Sequence, residues 1–110
     1  MGRYISTTGT LNPVLRTVTT AYTAEVNDRI LADTTSSAIT ITLPANASLV
    51  TGDQLQIIDV VSNFSTNNVT LARNSSKILG DTADLVLDVD GSVITLLYTG
   101  ATYGWVLTSS

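Results

Sequence analysis

The sequence predicts an all-β fold, a single compact β-sandwich or barrel of about 7–9 short antiparallel strands with an extended N-terminal arm. Three observations carry this. Apolar residues recur with period two, as on a half-buried strand. Val, Ile and Thr, the β-branched residues that suit a pleated surface, are abundant. Turn-forming clusters of Asn, Asp, Gly and Ser interrupt the alternation at a spacing of about ten residues.

The elements follow in order. From Val14 to Val26 the residues Val14, Arg16, Val18, Thr20, Tyr22 and Ala24 mark one face of an extended stretch, with Thr17, Thr19, Thr23 and Glu25 on the other. Asn27-Asp28 breaks it, and Arg29 to Asp33 reads as a short strand ended by the polar run Thr34 to Ser37. Ala38 to Leu43 is the cleanest alternation, stopped by Pro44, which cannot donate to a ladder. Ala45 to Val50 is expected to form one helical turn capped by Asn46 or Ser48. Gln54 to Val61 is a strand, with Leu55, Ile57 and Val61 opposite Ile58 and Val60. A polar loop around Phe64 and a strand over 69–73 follow. Leu85 to Val89 and Val93 to Tyr98 flank Asp90-Gly91, the dipeptide of tight hairpins, so these two runs are expected to pair. Trp105 to Thr108 is the last strand. No internal repeat is evident.

Residues 1–13 differ from residues 14–110, the β domain. They are rich in Gly, Ser and Thr and contain the anchors Tyr4 and Ile5. Two readings fit: a frayed terminus, or an arm that orders on a neighbouring subunit through Arg3, Tyr4 and Ile5.

Composition narrows function. Of 110 residues, 19 are threonine, 11 serine and seven asparagine, while 13% are charged. There is no histidine and no cysteine. That removes disulfides, thiolate zinc sites, Cys- or Ser–His nucleophiles and an imidazole switch. Catalysis would rest on carboxylates, hydroxyls, Lys77 and four arginines, so a non-enzymatic protein without a cofactor or metal is expected. A net charge of −4 with scattered cations (Arg3, Arg16, Arg29, Arg73, Lys77) argues against a nucleic-acid partner. The apolar runs fall far short of the roughly 20 residues of a membrane helix, and no signal-peptide pattern opens the chain. A protein made in a cytoplasm is the expectation.

Candidate sites are few. Asp81, Asp84, Asp88 and Asp90 crowd four carboxylates together, and Asp88-Val89-Asp90-Gly91 resembles the start of a calcium loop. Thr99 stands where that loop needs glutamate, so a solvent-facing turn is the simpler reading. Asp59 interrupts the apolar run Ile57 to Val61 and is expected either to face solvent on an edge or to pair with Arg29 or Arg73. Asn46, Asn63, Asn68 and Asn74 open sequons, read as surface loops and not as glycan sites. Tyr103 and Trp105, two residues apart, are expected on one side of a strand, as a glycan-stacking or subunit contact.

Several pieces occur in a joint order. They are Tyr22-Thr23-Ala24, Asn27 to Thr34, Ile39 to Pro44, Gly52-Asp53, Ile57-Ile58-Asp59, Asn67 to Asn74, and Tyr98-Thr99-Gly100 leading to Trp105. With the opening Met1-Gly2-Arg3-Tyr4-Ile5, the chain resembles small virion structural and tail-fibre-like β proteins of tailed bacteriophages, especially those of cyanobacteria. The resemblance implies a particle component with no catalytic residue to carry over. The expected function is a capsid decoration or cement protein on the virion surface, assembled in the host cytoplasm. Its partners would be capsid or tail proteins and further copies of itself, with a trimer favoured. Two alternatives are a tail-fibre or collar knob touching host glycans, and a carbohydrate-binding module using Tyr103 and Trp105.

Overall fold

A computed structural model describes residues 13–109. Its strands are β1 (Val14–Val18), β2 (Tyr22–Thr23), β3 (Asp28–Ala32), β4 (Ile39–Thr42), β5 (Gln54–Asp59), β6 (Val69–Ala72), β7 (Leu85–Leu87), β8 (Val93–Tyr98) and β9 (Trp105–Ser109). They form two mixed sheets, in the orders β1-β3-β5-β8-β9 and β2-β4-β6-β7. The first six strands alternate between the sheets, and each runs parallel to the strand two places before it. The chain thus coils through three rungs, β1–β2, β3–β4 and β5–β6. β7 then turns back antiparallel on β6, while β8 and β9 add antiparallel strands beside β5.

This corrects the antiparallel expectation. Parallel neighbours need a long crossover, most often a helix. Here the crossover is a strand of the facing sheet, so no helix is required. The alternating stretch from Val14 to Val26 is accordingly two strands in different sheets, parted by a bend at Thr19-Thr20. The two runs around Asp90-Gly91 do not pair either: β7 lies in one sheet and β8 in the other. Only Gly91 of that dipeptide has positive φ, at 75°, and Ser92 N–H donates to Val89 O at 3.3 Å. A primed hairpin turn needs positive φ at both central residues or at the first. This turn has it at the second alone and passes the chain between sheets.

Both sheets point their apolar alternate positions into one core. Residues in register stack like on like. Ile39 lies beside Val69 and Val69 beside Leu87; Ile30 lies beside Ile57 and Ile57 beside Ile94. The outward positions stack polar residues, with Thr23 beside Thr42 and Thr40 beside Thr70, cross-strand pairs that support a sheet from its solvent side. Phe64, in the loop after β5, is fully buried and plugs the core. The predicted helical turn is a 3-10 turn over Asn46–Ser48, but no side chain caps it; Ser48 Oγ instead donates to Ala45 O at 2.9 Å.

The corners are built by side chains bonding to backbone. Asn74 Nδ2 donates to Leu43 O at 2.9 Å, Asn63 Nδ2 and Asn67 Nδ2 both donate to Thr34 O at 3.0 and 2.8 Å, and Asn68 Nδ2 donates to Phe64 O. Three of the four sequon asparagines therefore tie turns to the chain around them. The expected arm, residues 1–13, lies outside the described residues except for Pro13, which is exposed immediately before β1.

Candidate functional site

Two buried carboxylates organise the molecule. Asp59 ends β5 and is 5% exposed. Its Oδ2 accepts from the backbone N–H groups of Asn63 at 2.9 Å, Phe64 at 3.0 Å and Gly91 at 3.0 Å. It neither faces solvent nor meets Arg29 or Arg73. Three backbone amides replace the expected cation, and they join the loop that buries Phe64 to the turn between the sheets. Charge-assisted hydrogen bonds of this kind are the stronger class.

Asp28 opens β3 and is 2% exposed. It accepts from Arg16 Nε at 3.2 Å, Tyr22 Oη at 2.7 Å and Glu25 N–H at 2.9 Å. Arg16 also lies 3.6 Å from Glu25. The network stitches β1, β2 and the corner before β3. Burial, reinforced by donation to the Asp28 carboxylate, pushes the Tyr22 phenol up to about 12, so it stays a neutral donor across the physiological range. The hydrogen bond to Asp28 likewise holds Arg16 further toward its charged form.

Four further carboxylates serve turns in the same way. Asp33 accepts from Thr35 N–H and Oγ1, Asp53 from Val50 N–H, Asp84 from Arg73 N–H, and Asp90 from Ser65 N–H and Oγ. Asp84 and Asp90, members of the crowded acidic run, are thus engaged with two different loops. Among the described residues no three carboxylates converge as a metal-binding group.

Of the residues expected to make contacts, Arg3, Tyr4 and Ile5 lie outside the described residues. Tyr103 and Trp105 are described and do not share a face. Trp105 is fully buried and packs edge-on against Tyr98, ring centroids 5.4 Å apart, whereas Tyr103 is 63% exposed. The cause is Gly104, whose φ of 72° breaks the strand alternation on which the paired reading rested. Trp105 is a core residue in this fold and leaves Tyr103 alone on the surface.

Sequence reasoning did not single out the edge of the larger sheet. Among the described residues, β1 has a strand on one side only. It carries Val14 and Leu15, 44% and 62% exposed, and Val26 in the adjoining corner is exposed as well. Val14 N–H donates to Asn27 O at 2.9 Å, which places that corner beside the start of β1. The signal was present as apolar residues on both faces at 14–15, where strict alternation would put only one. No helix among the described residues is long and apolar enough to cross a membrane. No protein-family model matches the chain, and no curated protein matches it.

Proposed function

We propose that this chain is a non-enzymatic structural protein of a tailed-bacteriophage particle, a decoration or cement protein displayed on the head as an oligomer. The observation that carries the reading is the apolar edge at β1. A sheet edge that carries no further strand among the described residues and exposes Val14 and Leu15 is a template for one, and proteins that remain single blunt such edges with charge, proline or a covering segment. A second copy or a capsid subunit pairing there buries the patch, in keeping with the symmetric assemblies of structural proteins.

Two further features support it. Asp28, Asp59, Asn67, Asn68 and Asn74, which lie in the pieces on which the resemblance to phage structural proteins rests, hold the corners of this fold. Six of the nine carboxylates, the acid–base groups left in a chain without histidine or cysteine, are engaged in hydrogen bonds within the fold.

Quantifying the protein in purified particles tests the reading. A decoration role predicts a copy number in proportion to the major capsid protein. A small fraction of that number assigns the chain to a tail-fibre or collar appendage. Its absence from particles overturns both.

A further inference from the structure

The cationic side chains look dispersed in the sequence, yet two of the five meet at one cleft. Asn74 and Ser75 have φ of 48° and 72°, a tight left-handed turn that brings Arg73 and Lys77 to the same hollow. The cleft has a volume of about 250 Å³ and is bounded by Asn46, Arg73, Ser75, Lys77, Thr82 and Tyr98. That is below the roughly 300–1,000 Å³ of pockets for drug-sized ligands, so it suits one small group.

Its walls are donors. Neither Arg73 nor Lys77 has a carboxylate within ion-pair distance; among the described residues such pairs involve Arg16 alone. Arg73 uses one Nη to donate to Ser76 O at 2.9 Å, which fixes the guanidinium against the turn and leaves its other N–H groups. The Lys77 ammonium has no hydrogen-bond partner among the described residues. Tyr98 Oη donates to Asn46 Oδ1 at 3.2 Å, orienting that carboxamide, and Ser75 and Thr82 add hydroxyls. Ser76, 3% exposed, also borders the cleft, and its Oγ is buried without a partner. Such orphaned groups are uncommon in folded proteins. No carboxylate is among the lining residues, and Asp84 is occupied with the Arg73 backbone N–H at 3.0 Å.

We propose that this cleft is a binding site for a phosphate group, either free or borne on a saccharide. A fork-shaped guanidinium and a point-charge ammonium together match an oxyanion with close to two negative charges and three peripheral oxygens. A carboxylate, with one charge, would leave a cation uncompensated. Hydroxyl and carboxamide donors then serve the remaining oxygens. In a chain of net charge −4, two unpaired cations at one concavity concentrate the little positive potential available. The site stands apart from the β1 edge, so the inference is independent of where the protein sits on a particle.

The test is a titration of the full chain, at fixed ionic strength, with inorganic phosphate, glucose-1-phosphate and glucose, followed by amide chemical shifts. Both phosphates are expected to shift residues 73–77 and Tyr98 saturably, while glucose does not. Lys77→Gln, which removes no ion pair among the described residues, is expected to weaken binding about tenfold with unchanged thermal melting, and Lys77→Arg to retain it. Equal affinities for the two phosphates identify free phosphate as sufficient, and tighter binding of the sugar phosphate identifies a phosphorylated saccharide. No saturable shift with either phosphate, or equal affinity in Lys77→Gln, overturns the proposal.

Discussion

The two lateral edges of the larger sheet are handled in opposite ways. At one edge, β9 begins with a fully buried Trp105, and residues 77–79 of the segment between β6 and β7 lie against it. Trp105 N–H donates to Lys77 O at 2.8 Å and Leu79 N–H donates to Trp105 O at 2.8 Å. At the other edge, β1 shows Val14 and Leu15 to solvent, and its outer side has no strand among the described residues. One edge is closed at its start by the chain's own backbone. The other is held, among the described residues, from within, by its ladder to β3 and by the Asp28 network. Covering an edge is a standard way to prevent pairing with another chain. The difference makes β1 the edge at which the proposed self-association would occur and sets internal stability toward β8, β9 and the segment laid over them.

The closed edge should be the harder one to disturb without unfolding. A Cβ added at Gly104 would stand 2.0 Å from Lys77 O and 2.8 Å from Lys77 Cα, at a φ of 72° that L side chains rarely adopt. Gly104→Ala is expected to cost about 4 kcal/mol or more, among the largest effects of single substitutions. Denaturant unfolding of the variant, or its failure to accumulate as folded protein, checks this. Asp59→Ala comes next. It strands the buried N–H of Phe64, worth about 1–3 kcal/mol when unsatisfied, removes the part-buried charge-assisted bonds from Asn63 and Gly91, and loosens the loop that holds Phe64. A loss of about 3 kcal/mol or more is expected in the same assay. If Asp59→Ala proved milder than substitutions in the Asp28 network, the ranking of the two regions would reverse.

How much of this was legible in the sequence depends on the level asked about. Strand positions were legible, because the period-two signal of Ile39, Ile41 and Leu43, or of Leu55 and Ile57, is set locally by one buried and one exposed face. Strand pairing was not. Parallel strands are commonly buried on both faces and read as continuous apolar runs, but in this coil the outer face is solvated, so β3, β4 and β6 alternate as antiparallel strands do. The repeat was hidden for a related reason: Val14 aligns with Asp28, whereas Arg29 aligns with Gln56. Rungs of such unequal length leave no fixed period. Asp59 stood out as a carboxylate among aliphatics, yet its partners are backbone amides, which no residue type announces. Arg73 and Lys77 looked scattered because the left-handed turn that unites them rests on Asn74 and Ser75, residues equally at home in any loop.

At the open edge, the internal support can be weakened without touching the exposed patch. Tyr22→Phe removes one hydrogen bond to a buried carboxylate and is expected to cost about 1.5–3 kcal/mol. The pH dependence identifies the cause. The phenol ionises near 10 in the unfolded chain and near 12 in the folded one, so the folded state holds the proton more tightly. Its contribution is complete below pH 10 and is lost as pH rises from about 10 to about 12. Urea midpoints across that window should fall more steeply for the wild type than for Tyr22→Phe. Parallel declines would mean that Tyr22 does not sense the Asp28 site.

The smallest effect on stability should accompany the largest effect on assembly. Leu15 is 62% exposed on β1, so Leu15→Lys is expected to change unfolding free energy by no more than about 0.5 kcal/mol. A lysine on an edge strand opposes pairing with another strand, because its charge must be desolvated when the edge is covered. Light scattering on the eluting protein should then show oligomers for the wild type and a shift toward monomer for Leu15→Lys. Val86→Lys is the matched control: Val86 is 49% exposed on β7, the terminal strand of the smaller sheet beside the antiparallel turn-back. It should leave assembly intact. The reverse pattern, with Val86→Lys dissociating the oligomer and Leu15→Lys not, would move the assembly surface to β7 and remove the asymmetry between the edges as its cause.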